Sequence, residues 1–145
     1  MIATEVWLQQ PFRFGLAWLV LSTALVLHVV DEALTDFLAV YNPAVLAIRR
    51  RIPFLRLPTF TFPVWLAGLC LGITVAFGLS FLAFRGSRVA VVAAYPVAIL
   101  MLTNGLGHIG VSLYRRRIMP GFYSSPFLIA ASAYLFYCVP AIKFT

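Results

Sequence analysis

Acidic side chains are scarce in this chain: four carboxylates stand against eleven basic residues, and charged residues make up only 10% of the total. Soluble domains carry about 25% charged residues, so an ordinary solvated surface is excluded. Cysteine is equally sparse. Cys70 and Cys138 fall on different expected helices, toward opposite membrane faces. That separation argues against a disulfide and leaves each as a small apolar packing residue. No internal repeat, low-complexity tract or soluble domain breaks the sequence, and 145 residues leave room for one compact bundle. The first apolar run lacks the basic start and small-residue cleavage site of a signal peptide and is too long for a signal core. It is expected to span instead. A net charge of +7 would suggest nucleic acid in a soluble protein. Here the arginines sit in short loops between apolar runs, where they meet lipid headgroups and fix orientation, so no nucleic-acid partner is expected.

What is abundant is hydrophobic side chain, 63% of the residues. Several apolar stretches approach or exceed the roughly 20 residues that a spanning helix needs. The expected fold is an all-α integral membrane protein, one domain over 1–145 with four transmembrane helices in one bundle. The spans are expected at about 14–34, 63–84, 87–114 and 125–141. Met1 to Pro11 reads as a tail resting at the interface through Trp7 and Phe12. Between the first two spans, Asn42-Pro43 has the form of a helix start, an N-cap followed by a first-turn proline. The short apolar piece after it ends in Arg49, Arg50 and Arg51, as an interfacial helix on an anionic leaflet would. Gly68 and Gly72 have the spacing that lets a second helix approach closely. Pro96 is expected to kink the third span.

Loop charge sets the expected orientation. Arg49, Arg50, Arg51, Arg56, Arg115, Arg116 and Arg117 lie on one side, against Arg13, Arg85, Arg88 and Lys143 on the other. The positive-inside bias puts both termini outside the cytoplasm, in what is expected to be a bacterial inner membrane.

Two of the few carboxylates stand side by side in His28-Val-Val-Asp31-Glu32, inside the first span. Carboxylates in hydrocarbon are costly unless paired, protonated, hydrogen-bonded or metal-bound. The only other histidine closes Asn104-Gly-Leu-Gly-His108 in the third span. The first and third spans run in the same direction, and both histidines lie about six residues, or roughly 9 Å, from the cytoplasmic end. At about 100° per residue, His28 and Glu32 project within roughly 40° of each other, as do Asn104 and His108. Asp31 lies on the other flank of the same face. One cluster of two imidazoles, two carboxylates and an amide is expected. The glycines around His108, Gly105, Gly107 and Gly110, thin the helix wall for close packing, for a ligand or for water.

Such a donor set suits a divalent metal ion, zinc, iron or manganese, with His28, Asp31, Glu32 and His108 as the candidate ligands. A metal-free alternative uses a carboxylate and a histidine to shuttle a proton on a lipid-soluble substrate. A third reading pairs the buried polar groups across the bundle in a non-catalytic subunit of a larger membrane complex. Two histidines also suit haem, which leaves the adjacent carboxylates without a role. Tyr114, Tyr123 and Trp65 read as interface anchors, Ser22 and Thr23 as bonding back to their own helix, and Asp36 as solvated.

The His-x-x-acid-acid stretch, the later Asn-x-x-x-His and Pro120-Gly121 after a basic turn together resemble the HXXEE-domain membrane proteins. These are small multi-span proteins without an assigned reaction. The resemblance runs from His28 to Gly121. His28, Glu32, Asn104, His108, Pro120 and Gly121 match the family's elements, whereas Asp31 replaces its first glutamate and shortens that arm by about one methylene. The resemblance implies a functional polar site and gives no substrate.

The expected activity is metal-dependent hydrolysis, or another transformation, of a lipid-like or isoprenoid substrate. His28, Glu32 and His108 would be ligands, Asp31 a further ligand or general base, and Asn104 a hydrogen-bond orienter. Glu32 also counts among the catalytic candidates. Expected partners are membrane lipids and, in the alternative, other membrane subunits that present a pigment, a quinone or a protein surface. A cavity reaching the cluster would favour chemistry over that alternative.

Overall fold

The computed structural model describes residues 2–139, and all of its regular structure is helical. Five helices follow one another: α1 (Ile2–Leu34), α2 (Phe37–Arg51), α3 (Phe62–Phe84), α4 (Arg88–Arg115) and α5 (Ser125–Cys138). Three are long and apolar enough to cross a membrane: α1 from Gln10 to Leu34, α3 and α4. Helix α5, the expected fourth span, has 14 residues. It rises about 21 Å, short of a hydrocarbon core of about 30 Å. Residues 140–141 of that span, Lys143 and the Trp7 side chain lie outside the described residues.

Helix α1 packs along α3 and α5, and α4 packs along α5. Phe84, the last residue of α3, covers Gly15, where any side chain on α1 would collide with its ring. Helix α3 therefore runs antiparallel to α1. Helix α4 returns parallel to α1, and α5 antiparallel to both, because the α4–α5 turn meets the C-terminal half of α1. The core is a stack of Phe14, Trp18 and Leu21 from α1 against Leu128 and Leu135 from α5. Ala90, Ala94 and Ala98 line α4 one turn apart and are completely buried. Small residues at this spacing let helices approach where lipid and core are equally apolar and dispersion contacts decide the packing. Ser22 donates to its own helix at Trp18 O and lies 3.2 Å from Ser80 Oγ of α3. Thr23 donates to Leu19 O. Cys70 and Cys138 are both free thiols.

Three local expectations are corrected. Helix α1 begins at Ile2 and carries Pro11 inside it, so the expected tail is helical. Pro11 lies about two and a half turns into α1, where its ring removes one backbone hydrogen bond. Helix α2 starts after Asp36, six residues ahead of the Asn42-Pro43 signature, and Pro43 lies within it. The Asn42 amide does not cap. Its Nδ2 donates to Phe60 O at 2.9 Å and its Oδ1 accepts from Phe60 N at 3.0 Å, tying α2 to the strand of chain that enters α3. Asp36 is exposed and left-handed, with φ of 54°, at the corner between α1 and α2. Finally, no helix among the described residues approaches Gly68 or Gly72; a Cβ there would meet nothing within 4 Å. Besides Gly15, the approach made through glycine is at Gly105, where a Cβ would lie 2.8 Å from Ile129 and 3.2 Å from the Ser125 carbonyl of α5.

Candidate metal centre

Parallel α1 and α4 bring the two histidines together. Their rings meet edge to face with centroids 4.8 Å apart. Glu32, one turn beyond His28, places Oε1 3.0 Å from Nε2 of His108 and 3.6 Å from Nε2 of His28. One ligand atom from each of His28, Glu32 and His108 lies within 4.8 Å of the other two. His28 and Glu32 are buried, at 1% and 5% exposure, in a part of the chain where an unpaired carboxylate is costly.

The chain fixes which nitrogen of each ring is free. Nδ1 of His108 lies 2.6 Å from the Pro120 carbonyl, which can only accept, so the hydrogen sits on Nδ1. Nε2 is thereby turned toward Glu32, as a lone pair if the ring is neutral and as a second N–H if it is protonated. His28 reaches the same state by a longer route. Ser124 Oγ lies 2.7 Å from Asp31 Oδ2 and 2.8 Å from His28 Nδ1. The hydroxyl gives its single hydrogen to the carboxylate and accepts from Nδ1–H. His28 Nε2 is left as an acceptor, met by Asn104 Nδ2 at 3.2 Å. Two imidazole lone pairs and one carboxylate converge on the same space.

The turn that makes this possible is built from short-range bonds. Helix α4 ends at Arg115, and Arg116 after it turns into the left-handed region. Ser112 Oγ donates to His108 O at 2.7 Å and accepts from Met119 N at 3.1 Å, folding the chain back over its own helix. Gly121 then passes the His108 ring with φ of 79°, and a Cβ there would stand 2.8 Å from the ring. Ser125 Oγ closes on Gly121 O at 2.6 Å. Ser124 precedes α5 but its side chain does not cap that helix; it serves Asp31 and His28.

Of the expected site residues, His28, Glu32, His108 and Asn104 come together. Asp31 does not join the converging donors; its Oδ2 accepts from Ser124 N at 2.9 Å and from Ser124 Oγ. Tyr114 and Tyr123 remain exposed and outside the site. Trp65 is buried and stacks on Phe37, which in turn lies 5.8 Å from the His108 ring. Sequence reasoning missed Ser124 and Phe37. Ser124 carried a faint signal, a second serine ahead of Ser125-Pro126, and Phe37 carried none.

A cavity of about 340 Å³ between α2 and α4 reaches the centre through His108 and Asn104. Its apolar walls include Phe37, Val40 and Val111. Gly107 opens onto it, and a Cβ there would meet nothing within 4 Å. The two glycines on either side of Leu106 thus divide the roles, Gly105 for packing and Gly107 for the cavity.

A His₂–carboxylate set with room for a further ligand is the donor chemistry of catalytic zinc and of non-haem iron. In both, each histidine is oriented by a partner on its other nitrogen. The carbonyl of Pro120 and the Ser124–Asp31 pair supply that partner here. Comparisons of the chain with protein-family models, curated proteins and solved structures found no match.

Proposed function

We propose that this chain is an integral membrane protein that holds a divalent ion, zinc, iron or manganese, on His28, Glu32 and His108. It uses the site to hydrolyse or otherwise transform a lipid-like or isoprenoid substrate. The observation that carries this reading is the orientation of the two rings, each with Nδ1 committed to a partner and Nε2 turned toward Glu32. An ion held there supplies a Lewis acid that polarises a substrate oxygen and activates water.

The remaining groups have their own tasks. Asp31 acts through Ser124 to hold His28 in its tautomer. Asn104 orients at the inner end of the cavity, where its amide holds His28 Nε2, the nitrogen that would ligate the ion. The cavity gives an apolar substrate a route to the centre, the feature that favours chemistry over a closed structural cluster. The resemblance to HXXEE-domain proteins fits a functional polar site. Membrane lipids surround the exposed apolar faces, with the arginine-rich loops on the cytoplasmic side of a bacterial inner membrane.

One observation favours a second reading. The 3.0 Å contact between Glu32 and His108 is also the length of a hydrogen bond carrying a shared proton. In that case the pair works as a metal-free acid and base. Elemental analysis of detergent-purified protein, prepared without chelators, separates the two. Near-stoichiometric metal that disappears in the His28→Ala/His108→Ala variant supports the first. A folded wild-type protein free of metal sinks it and leaves proton transfer or a purely structural role.

A further inference from the structure

The cavity beside the centre has two polar ends and apolar walls. At the inner end stand His108 and Asn104; elsewhere on its lining is Arg115, in the last turn of α4. Seven residues separate His108 from Arg115 on one helix. Two turns bring them within roughly 20° of the same face and about 10 Å apart along the axis. Arg115 is exposed, and no carboxylate among the described residues pairs with it. Asp31 is committed to Ser124 and Glu32 to the histidines. The Tyr41 hydroxyl on the cavity wall is likewise committed, to Pro58 O at 3.1 Å. Arg115 is therefore the free cationic group of this cavity, and a guanidinium suits a carboxylate or phosphate as a two-point partner.

We infer that the cavity binds a single-chain anionic amphiphile, its phosphate or carboxylate on Arg115 and its apolar chain lying between α2 and α4 toward His108. The volume, about 340 Å³, sits at the low end of the roughly 300–1,000 Å³ of small-molecule sites, so one chain fits and a two-chain lipid does not. Distance makes the site a ruler: a group about 10 Å from the anionic end is the one presented to the histidines. This names the substrate class for the proposed metal enzyme and rests on that reading for the reaction, while the binding itself does not require the ion.

The test uses the whole protein in phosphatidylcholine nanodiscs and a dodecyl phosphate bearing a diazirine along its chain, with labelled dodecanoate and dodecanol beside it. Adducts are mapped by mass spectrometry. Both anionic probes, or one of them, should label the cavity walls between Val40 and Ala44 or between Thr103 and Val111, and dodecanol should not. Which anion labels decides phosphate against carboxylate. Arg115→Gln should lower the yield roughly tenfold, the value of one charge-assisted contact. Gly107→Leu should abolish labelling by filling the cavity, at a position where a side chain meets nothing on entry. Both variants should keep the wild-type metal content. Three results overturn the proposal: equal labelling by dodecanol, adducts spread over the outer face of α3 and indifferent to Arg115→Gln, or full competition by inorganic phosphate, which would mean a soluble-anion site. Metal content of the same wild-type sample is read separately, so failure of the ion and failure of the amphiphile give different results.

Discussion

Glu32 Oε1 stands 3.0 Å from Nε2 of His108, and the Nδ1 hydrogen of that ring goes to the Pro120 carbonyl on its other side. Two acceptors at this distance repel unless a proton or a metal ion lies between them. The contact is therefore a statement about what must occupy the site.

Glu32→Gln tests this directly. The amide can donate to the Nε2 lone pair and satisfy the contact with no cation at all. The variant should fold, with a thermal midpoint equal to or above that of metal-stripped wild type, while its metal content falls to background. Metal retained at wild-type level would show that Glu32 is not a ligand.

Ser124→Ala removes the link between Asp31 and His28 and leaves the Nδ1 hydrogen without an acceptor. Loss of such an orienting partner typically costs about 10–100-fold in metal affinity. Competition with a graded series of chelators measures it. Asp31→Asn keeps an oxygen that can accept from Ser124, so its loss should be the smaller of the two.

Gly121→Ala combines two penalties. The left-handed backbone costs a residue with a Cβ about 1–2 kcal/mol, and that Cβ would lie 2.8 Å from the His108 ring. The expected outcome is a lower unfolding midpoint in detergent together with weakened metal binding. A variant that lost stability but kept full metal affinity would show that the ring tolerates the displacement.

Asn42→Ala breaks both bonds to Phe60. At about 0.5–1.5 kcal/mol for each hydrogen bond, the connection between α2 and α3 should open more often. Amide exchange at Phe60 should accelerate accordingly, whereas exchange in the buried stretch of α1 around Trp18 should not change.

Much of the centre was legible because it follows from helix geometry. His28 and Glu32 share a face by the fourfold step, and His108 lies at a matching depth on a parallel helix. The same geometry explains why Asp31 parts from Glu32. Three residues from His28 it falls on the opposite flank, and that flank looks toward the α4–α5 turn instead of toward His108. What could not be read was the turn itself. Ser124 meets Asp31 across 93 positions of sequence, through a fold-back set by Ser112 and Gly121. The Asn42-Pro43 signature misled for a related reason: an asparagine ahead of a proline is equally able to bond a distant segment, and its sequence neighbours do not distinguish the two. The helical start of α1 was hidden by Pro11, which marks a boundary only when the flanking residues have no other reason to stay helical.

Helices α1 and α4 do not pack along one another; each leans on α5, and α1 also on α3. Toward their C-terminal ends they meet through His28 and Glu32 on α1 and Asn104 and His108 on α4. An ion held between the two Nε2 atoms and Glu32 would act as a spacer in the mechanical sense, tying these ends together beside the packing that α5 gives both. The cavity wall formed by α4 inherits that spacing. For the proposed metal enzyme, exchanging a smaller ion for a larger one would then also bear on the width of the cavity beside His108.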